Sequence, residues 1–153
     1  MAKLKTKSAR RAFTIIEMMV VVAAIAFLVS VAVPAFNAMS NQAKQVKAEG
    51  DLNVIKLALN TYNMRNYCFP EDNAEQGQAI LLSESVAVLD SYRYDPFGAT
   101  LTTRYEYKLS SNGYYYVVYS VGRNRDGVMT ISDSGSCAIT AGNPIYVTNG
   151  ILL

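Results

Sequence analysis

Glu17 is the one carboxylate in an apolar run that extends over residues 13–36. After Glu17 the next charge along the chain is Lys44. A helix formed by this run is long enough to cross, or nearly cross, a hydrocarbon core of about 30 Å. An ionised carboxylate within such a helix costs at least about 2.5 kcal/mol on insertion scales. Glu17 must therefore reach the interface, take up a proton or pair with a cation.

A second set of chemically capable side chains lies in residues 122–133. Asn124, Asp126 and Asp133 supply oxygen ligands at spacings that partly follow a calcium-binding loop. The first ligand position of that pattern is occupied by Gly122, and two arginines inside the segment weaken its affinity for a cation. The segment therefore predicts either a calcium site or a plain Asx/Gly turn.

The chain has two cysteines, Cys68 and Cys137, both after the apolar run. If that part is exported to an oxidising compartment, the pair predicts a disulfide, which would close a long loop. Two buried free thiols are the alternative. The chain has no C-x-x-C motif, so neither a zinc site nor a redox site is predicted.

The composition argues against catalysis and against nucleic-acid binding. The chain has no histidine, and no serine or cysteine has an evident base nearby, so we predict that it is not an enzyme. Five of the fourteen basic residues lie in the leader, residues 1–12, which has no acid; they are Lys3, Lys5, Lys7, Arg10 and Arg11. The remainder is acidic overall and lacks a clustered basic face. The leader instead favours a cytoplasmic N-terminus.

Two ordinary explanations of residues 1–36 leave features unaccounted for. A cleavable signal peptide fits the basic start and the small residues Ala24 and Ala26, but Glu17 interrupts its apolar centre and the run continues to Phe36. A plain signal anchor explains the length of the run and leaves Glu17 unexplained.

Residues 12–36 resemble the N-terminus of type IV pilins and of type II secretion pseudopilins. The resemblance is carried by Ala12 before the aromatic Phe13, by Thr14, by Glu17, and by Pro34 well inside the helix. The family usually has glycine where Ala12 stands. The resemblance implies that prepilin peptidase cuts between Ala12 and Phe13 and that the new Phe13 amine is N-methylated.

Such a cut would give Glu17 a partner. The Phe13 amine would be its nearest cation, and a pair between Glu17 of one subunit and Phe13 of the next would neutralise both groups and set axial register. The alternative is a Glu17 hydrated near the cytoplasmic interface, close to Arg11. Pro34 removes a helix donor, so we expect a kink or a local loosening there.

The helical pattern continues to about residue 62 and carries two apolar stripes. One stripe contains Met39, Ala43, Val46, Val54 and Leu57, and the other contains Leu52, Ile55, Leu59 and Tyr62. We predict that one stripe covers the protein's own head and that the other packs on a neighbouring subunit.

The rest of the chain predicts a small head. A short helix is expected over residues 78–82, and a turn at residues 95–98. Strands are expected over residues 101–109 and 114–121, with weaker candidates at 128–132 and 145–148. The predicted fold class is α+β, a long N-terminal helix packed by a small antiparallel sheet, which is the type IV pilin fold. The predicted divisions are a leader (1–12), a transmembrane and assembly half (13–36), an amphipathic half (37–65) and a head (66–153).

Three short segments favour a pseudopilin over an ordinary pilin. Residues 75–77 (E-Q-G), 95–98 (D-P-F-G) and 120–122 (S-V-G) resemble major pseudopilins, in which a calcium-bound loop follows the third. This resemblance implies a type II secretion filament subunit that drives protein export. It would be a single-pass protein of the bacterial inner membrane with a cytoplasmic leader and a periplasmic or extracellular head.

Its expected partners are further copies, other pilins or pseudopilins, prepilin peptidase and the inner-membrane assembly platform, and not nucleic acid. The alternatives are a pilus subunit for adhesion, motility or DNA uptake, and an anchored binding protein that does not polymerise.

Overall fold

The computed structural model describes residues 13–71, 76–83 and 89–153. The leader, Ala12 and Glu75 lie outside the described residues. The chain divides into two compact units, one ending at Met39 and the other extending over Ser40–Leu153. Its helices are α1 (Ile15–Asn66) and α2 (Gln76–Ser83). Its strands are β1 (Glu106–Leu109), β2 (Tyr116–Ser120), β3 (Val128–Ile131), β4 (Ser136–Ala141), β5 (Ile145–Thr148) and β6 (Ile151–Leu152). The predicted α+β class is confirmed.

The first helix has identifiable start and stop signals. The Thr14 hydroxyl accepts a hydrogen bond from the backbone N–H of Glu17 at 3.3 Å, as an N-cap residue does. Tyr67, just beyond the last helical residue, has a φ of 57°, the left-handed conformation that commonly ends a helix. Pro34 lies inside α1 and does not end it.

The core of the second unit forms between α1 and the first sheet. Leu52, Ile55 and Leu59 of the helix are buried against aromatic and branched residues of β1 and β2. These helical residues belong to one of the two predicted stripes. Because they recur every three or four residues, they occupy one face of the helix and leave the other face to solvent.

The first sheet has the strand order β1-β2-β5 and is antiparallel throughout. Every residue of the central strand β2 is buried, which suits its continuous run of aromatic and β-branched side chains. The predicted hairpin between β1 and β2 is confirmed, with Gly113 at a φ of 76° in its turn. β1 is shorter than expected because Thr100 and Thr103 form a hydrogen-bonded turn instead of extended chain.

The second sheet has the order β3-β4-β6, with β4 and β6 parallel. Strands β3 and β5 lie at the weaker predicted positions, whereas β4 and β6 were not predicted. The segment S-C-A-I-T-A of β4 has neither strict alternation nor a strong β-favouring run. Its strand state depends on its pairing with β3.

Candidate processing and assembly site

The start of α1 presents the residues on which processing and assembly would depend. The Phe13 side chain is 72% exposed, and Glu17 lies in the first helical turn, where the helix dipole favours a carboxylate. Thr14 and Glu17 have the T-x-x-E spacing of a capping box. The role of Thr14 as the helix cap was not predicted, although this spacing could have revealed it.

The first part of α1 is a candidate membrane span. Its apolar window is long enough to cross a bilayer, and none of that window is buried inside the protein. Exposed residues such as Phe27, Leu28 and Phe36 would face water in a soluble monomer. Their exposure is compatible with contact to lipid or to other helices.

In the second unit the two predicted stripes of α1 have opposite environments. Leu52 and Leu59 are at most 1% exposed, whereas Val46 and Leu57 are 63% and 67% exposed. Gly50 lies on the exposed side, and a Cβ atom added there would meet nothing within 4 Å. The protein's own fold therefore leaves one apolar face of this helix uncovered.

The D-P-F-G turn is joined to the first sheet by a buried carboxylate. Asp95 Oδ1 accepts the N–H of Phe97 at 2.9 Å and the hydroxyl of Ser120 at 2.7 Å. Its Oδ2 accepts the N–H of Val121 at 3.0 Å. Asp95 is only 4% exposed, so its charge is compensated by these donors. The sequence predicted a turn here and gave no sign of this link to the end of β2.

Comparison with known proteins agrees with the N-terminal geometry. A family model for the prokaryotic N-terminal methylation motif matches residues 7–33. The chain is also 36% identical over 72 residues to type II secretion system core protein G of Pseudomonas aeruginosa. Both comparisons support the predicted resemblance to type IV pilin-like proteins. The match to the secretion protein covers 47% of this chain and 49% of the relative, so the chain spans about half the length of the curated relative it matches. No solved structure matches the chain significantly.

The predicted calcium ligands are not brought together. Asp126 and Asp133 lie beyond opposite ends of β3, whose four extended residues alone span about 13 Å. Asp133 Oδ1 instead accepts the N–H of Asn112 at 3.0 Å. Within the described residues no group of three acidic, histidine or cysteine side chains is placed to hold a metal ion.

Asn124 and Asp126, the other two predicted ligands, have surroundings that do not favour a cation. Asn124 lines an open groove together with Arg123, whose charge repels a cation. Asp126 packs against Gly142, where any side chain would collide with its carboxylate. These surroundings favour the Asx/Gly turn, and calcium binding by the segment stays a prediction.

The predicted disulfide is absent from the structure, in which both cysteines are free thiols. Cys68 is exposed just after α1, whereas Cys137 is fully buried in β4 among Val117, Tyr119 and Met129. The Cys137 sulfur lies 3.2 Å from the Thr148 hydroxyl. The pairing of β4 thus buries the Cys137 thiol in the core, whereas the Cys68 thiol is exposed to solvent.

Proposed function

We propose that this chain is a pseudopilin, a structural subunit that polymerises into a type II secretion filament and so drives protein export. The observation that carries the proposal is the uncovered apolar face of α1. The N-terminal methylation motif and the similarity to core protein G of a type II secretion system support it. In this proposal assembly, and not catalysis, is the biochemical activity of the chain.

The uncovered face needs a partner of matching chemistry. Val46, Val54 and Leu57 are between 38% and 67% exposed, and burying such side chains fully is worth about 1.5–3 kcal/mol each. The same face of α1 in a second copy offers an apolar surface of the same kind. Further copies, and other pilins or pseudopilins, are thus the proposed partners in the filament.

Glu17 would fix how far one subunit is displaced along the next. Cleavage after Ala12 by prepilin peptidase would leave an amine on Phe13, and this amine would pair with Glu17 of a neighbouring subunit. The pair would neutralise a carboxylate that is costly in hydrocarbon. Because Thr14 caps the helix, Glu17 is held in the first turn, close in the chain to the new amine.

The proposed location is the bacterial inner membrane. The five cations of the leader would keep the N-terminus cytoplasmic, and Ser40–Leu153 would be periplasmic. Residues 13–36 would span the bilayer once. Transfer of the subunit into the filament would then require the inner-membrane assembly platform.

The state of the mature N-terminus is the first test. Intact mass and N-terminal sequencing should identify a chain that begins at N-methylated Phe13. A chain that begins at Phe27 would instead indicate an ordinary signal peptide, and one that retains Met1 would indicate a plain anchor. Either of these two results would contradict the proposal.

The second test separates assembly from processing. Glu17→Ala should leave leader cleavage intact and abolish filament formation in a sedimentation assay, whereas Glu17→Asp should retain part of it. Exposed Glu71→Ala is the matched control, because it removes a carboxylate that lies outside both the N-terminal motif and α1. Filaments formed normally by Glu17→Ala would overturn the proposed pairing with Phe13.

A further inference from the structure

The second unit has a cationic groove that the assembly proposal does not use. Lys44 and Lys47 of α1 and Arg125 of the β2–β3 connection line a groove of about 310 Å³. The three side chains belong to exposed residues, and none of them is in an ion pair with any described residue. Three uncompensated cations around one groove attract an anion.

The acid that lines this groove does not neutralise it. Asp95 is 4% exposed, and its two oxygens already accept hydrogen bonds from Phe97, Ser120 and Val121. Its charge is therefore directed to the interior of the second unit. The accessible rim of the groove remains positive.

The groove also has an apolar rim. Leu101 is 95% exposed at the tip of a turn that is closed by hydrogen bonds between Thr100 and Thr103. An exposed leucine beside several cations is typical of surfaces that lie against a lipid headgroup layer, because the apolar side chain enters the boundary while the cations meet phosphates. A soluble anion has no apolar part that would contact Leu101, whereas a lipid has acyl chains.

The position of the lysines along α1 agrees with the headgroup level. Lys44 and Lys47 are the first charged residues after Glu17 and follow the apolar run that ends at Phe36. In the sequence, Lys44 is the eighth residue after Phe36. The headgroup layer adds roughly 5–8 Å on each side of the hydrocarbon core, and lysine side chains extend toward an interface.

We propose that this groove binds the phosphate headgroup of an anionic phospholipid and so holds the second unit at the membrane surface before assembly. Lys44, Lys47 and Arg125 would contact the phosphate, and Leu101 would insert beside the acyl chains. Arg125 has a φ of 61°, a conformation uncommon for a residue with a Cβ atom, and its N–H donates to Gly122 at 3.0 Å. The turn thereby fixes the backbone from which this cation extends.

The test uses the full chain in detergent micelles, with short-chain phosphatidylglycerol as the probe and phosphatidylcholine of equal chain length as the neutral lipid. Native mass spectrometry counts the lipids retained. We expect wild type to retain phosphatidylglycerol preferentially and K44Q/K47Q to lose about fivefold in apparent affinity for each lysine, roughly thirtyfold together. The matched control K56Q/K108Q removes two charges outside the groove and should leave the affinity unchanged.

Three results would overturn the lipid assignment. Equal phosphatidylglycerol retention by wild type and K44Q/K47Q would show that the two lysines do not bind the headgroup. An equal loss in the K56Q/K108Q control would indicate an unspecific charge effect. Reduced crosslinking between subunits in K44Q/K47Q with unchanged lipid retention would assign the groove to an acidic surface of a second copy. None of these results bears on the mature N-terminus, so the proposed filament function is tested separately.

Discussion

Leu57 and Leu59 provide a matched test of the two faces of α1. They are the same residue type in the same helix, but Leu57 is 67% exposed and Leu59 is 1% exposed. Truncation of each leucine to alanine removes the same atoms and preserves helix propensity. If Leu59 serves the fold and Leu57 serves assembly, the two variants should fail in different assays.

The expected magnitudes follow from these exposures. Leu59→Ala should lower the free energy of unfolding by about 2–5 kcal/mol, because it leaves a cavity in the core beneath β1 and β2. Leu57→Ala should change it by no more than about 0.5 kcal/mol. In the filament, burial of the exposed two thirds of Leu57 is worth about 1–2 kcal/mol, so its loss should raise the critical concentration for assembly by about 5- to 30-fold.

Two measurements on each variant test whether Leu59 serves the fold and Leu57 serves assembly. Urea unfolding of the detergent-solubilised chain, followed by circular dichroism, gives stability, and sedimentation of assembled material at graded protein concentrations gives the critical concentration. The reasoning would be refuted if Leu57→Ala lost as much stability as Leu59→Ala. It would also be refuted if Leu57→Ala assembled at the wild-type concentration.

Three further predictions concern the second unit. Asp95→Ala should lower the free energy of unfolding by about 3–5 kcal/mol, since three donors lose a charged acceptor; exposed Asp90→Ala is the control, and an equal effect of both would contradict this role. Burial raises the pKa of Tyr116 to about 12 from the ordinary tyrosine value of 10.0, so its contribution to stability is retained below pH 10 and is lost as pH rises towards 12. Tyr116→Phe should flatten that decline in a pH series of urea midpoints, whereas Tyr114→Phe, at a 72% exposed position, should not. Calcium should leave the unfolding midpoint unchanged because β3 separates the predicted ligands, and a rise that Asp126→Ala abolishes would disprove this.

Local periodicity in the sequence was sufficient to predict the long helix and its two apolar faces. The apolar run, the position of Glu17 and the spacing of Leu52, Ile55 and Leu59 are properties of neighbouring residues along one helix. They need no knowledge of distant contacts. The β1–β2 hairpin was predictable for the same reason, because its strands adjoin a glycine-containing turn in the sequence.

Only the tertiary structure decided which side chains meet across the second unit. Asp95 bonds to Ser120 and Val121, Asp133 to Asn112, and Cys137 is enclosed by the pairing of β4. These contacts join residues far apart in the chain, so they depend on strand register and on the order of the strands in each sheet. The Asp133 carboxylate, a predicted metal ligand, and the Cys137 thiol, a predicted disulfide partner, therefore contact other groups in the structure. The tertiary structure also decided which face of α1 is exposed. The sequence contained two apolar stripes, and the packing of the sheet covered one of them and left the other uncovered.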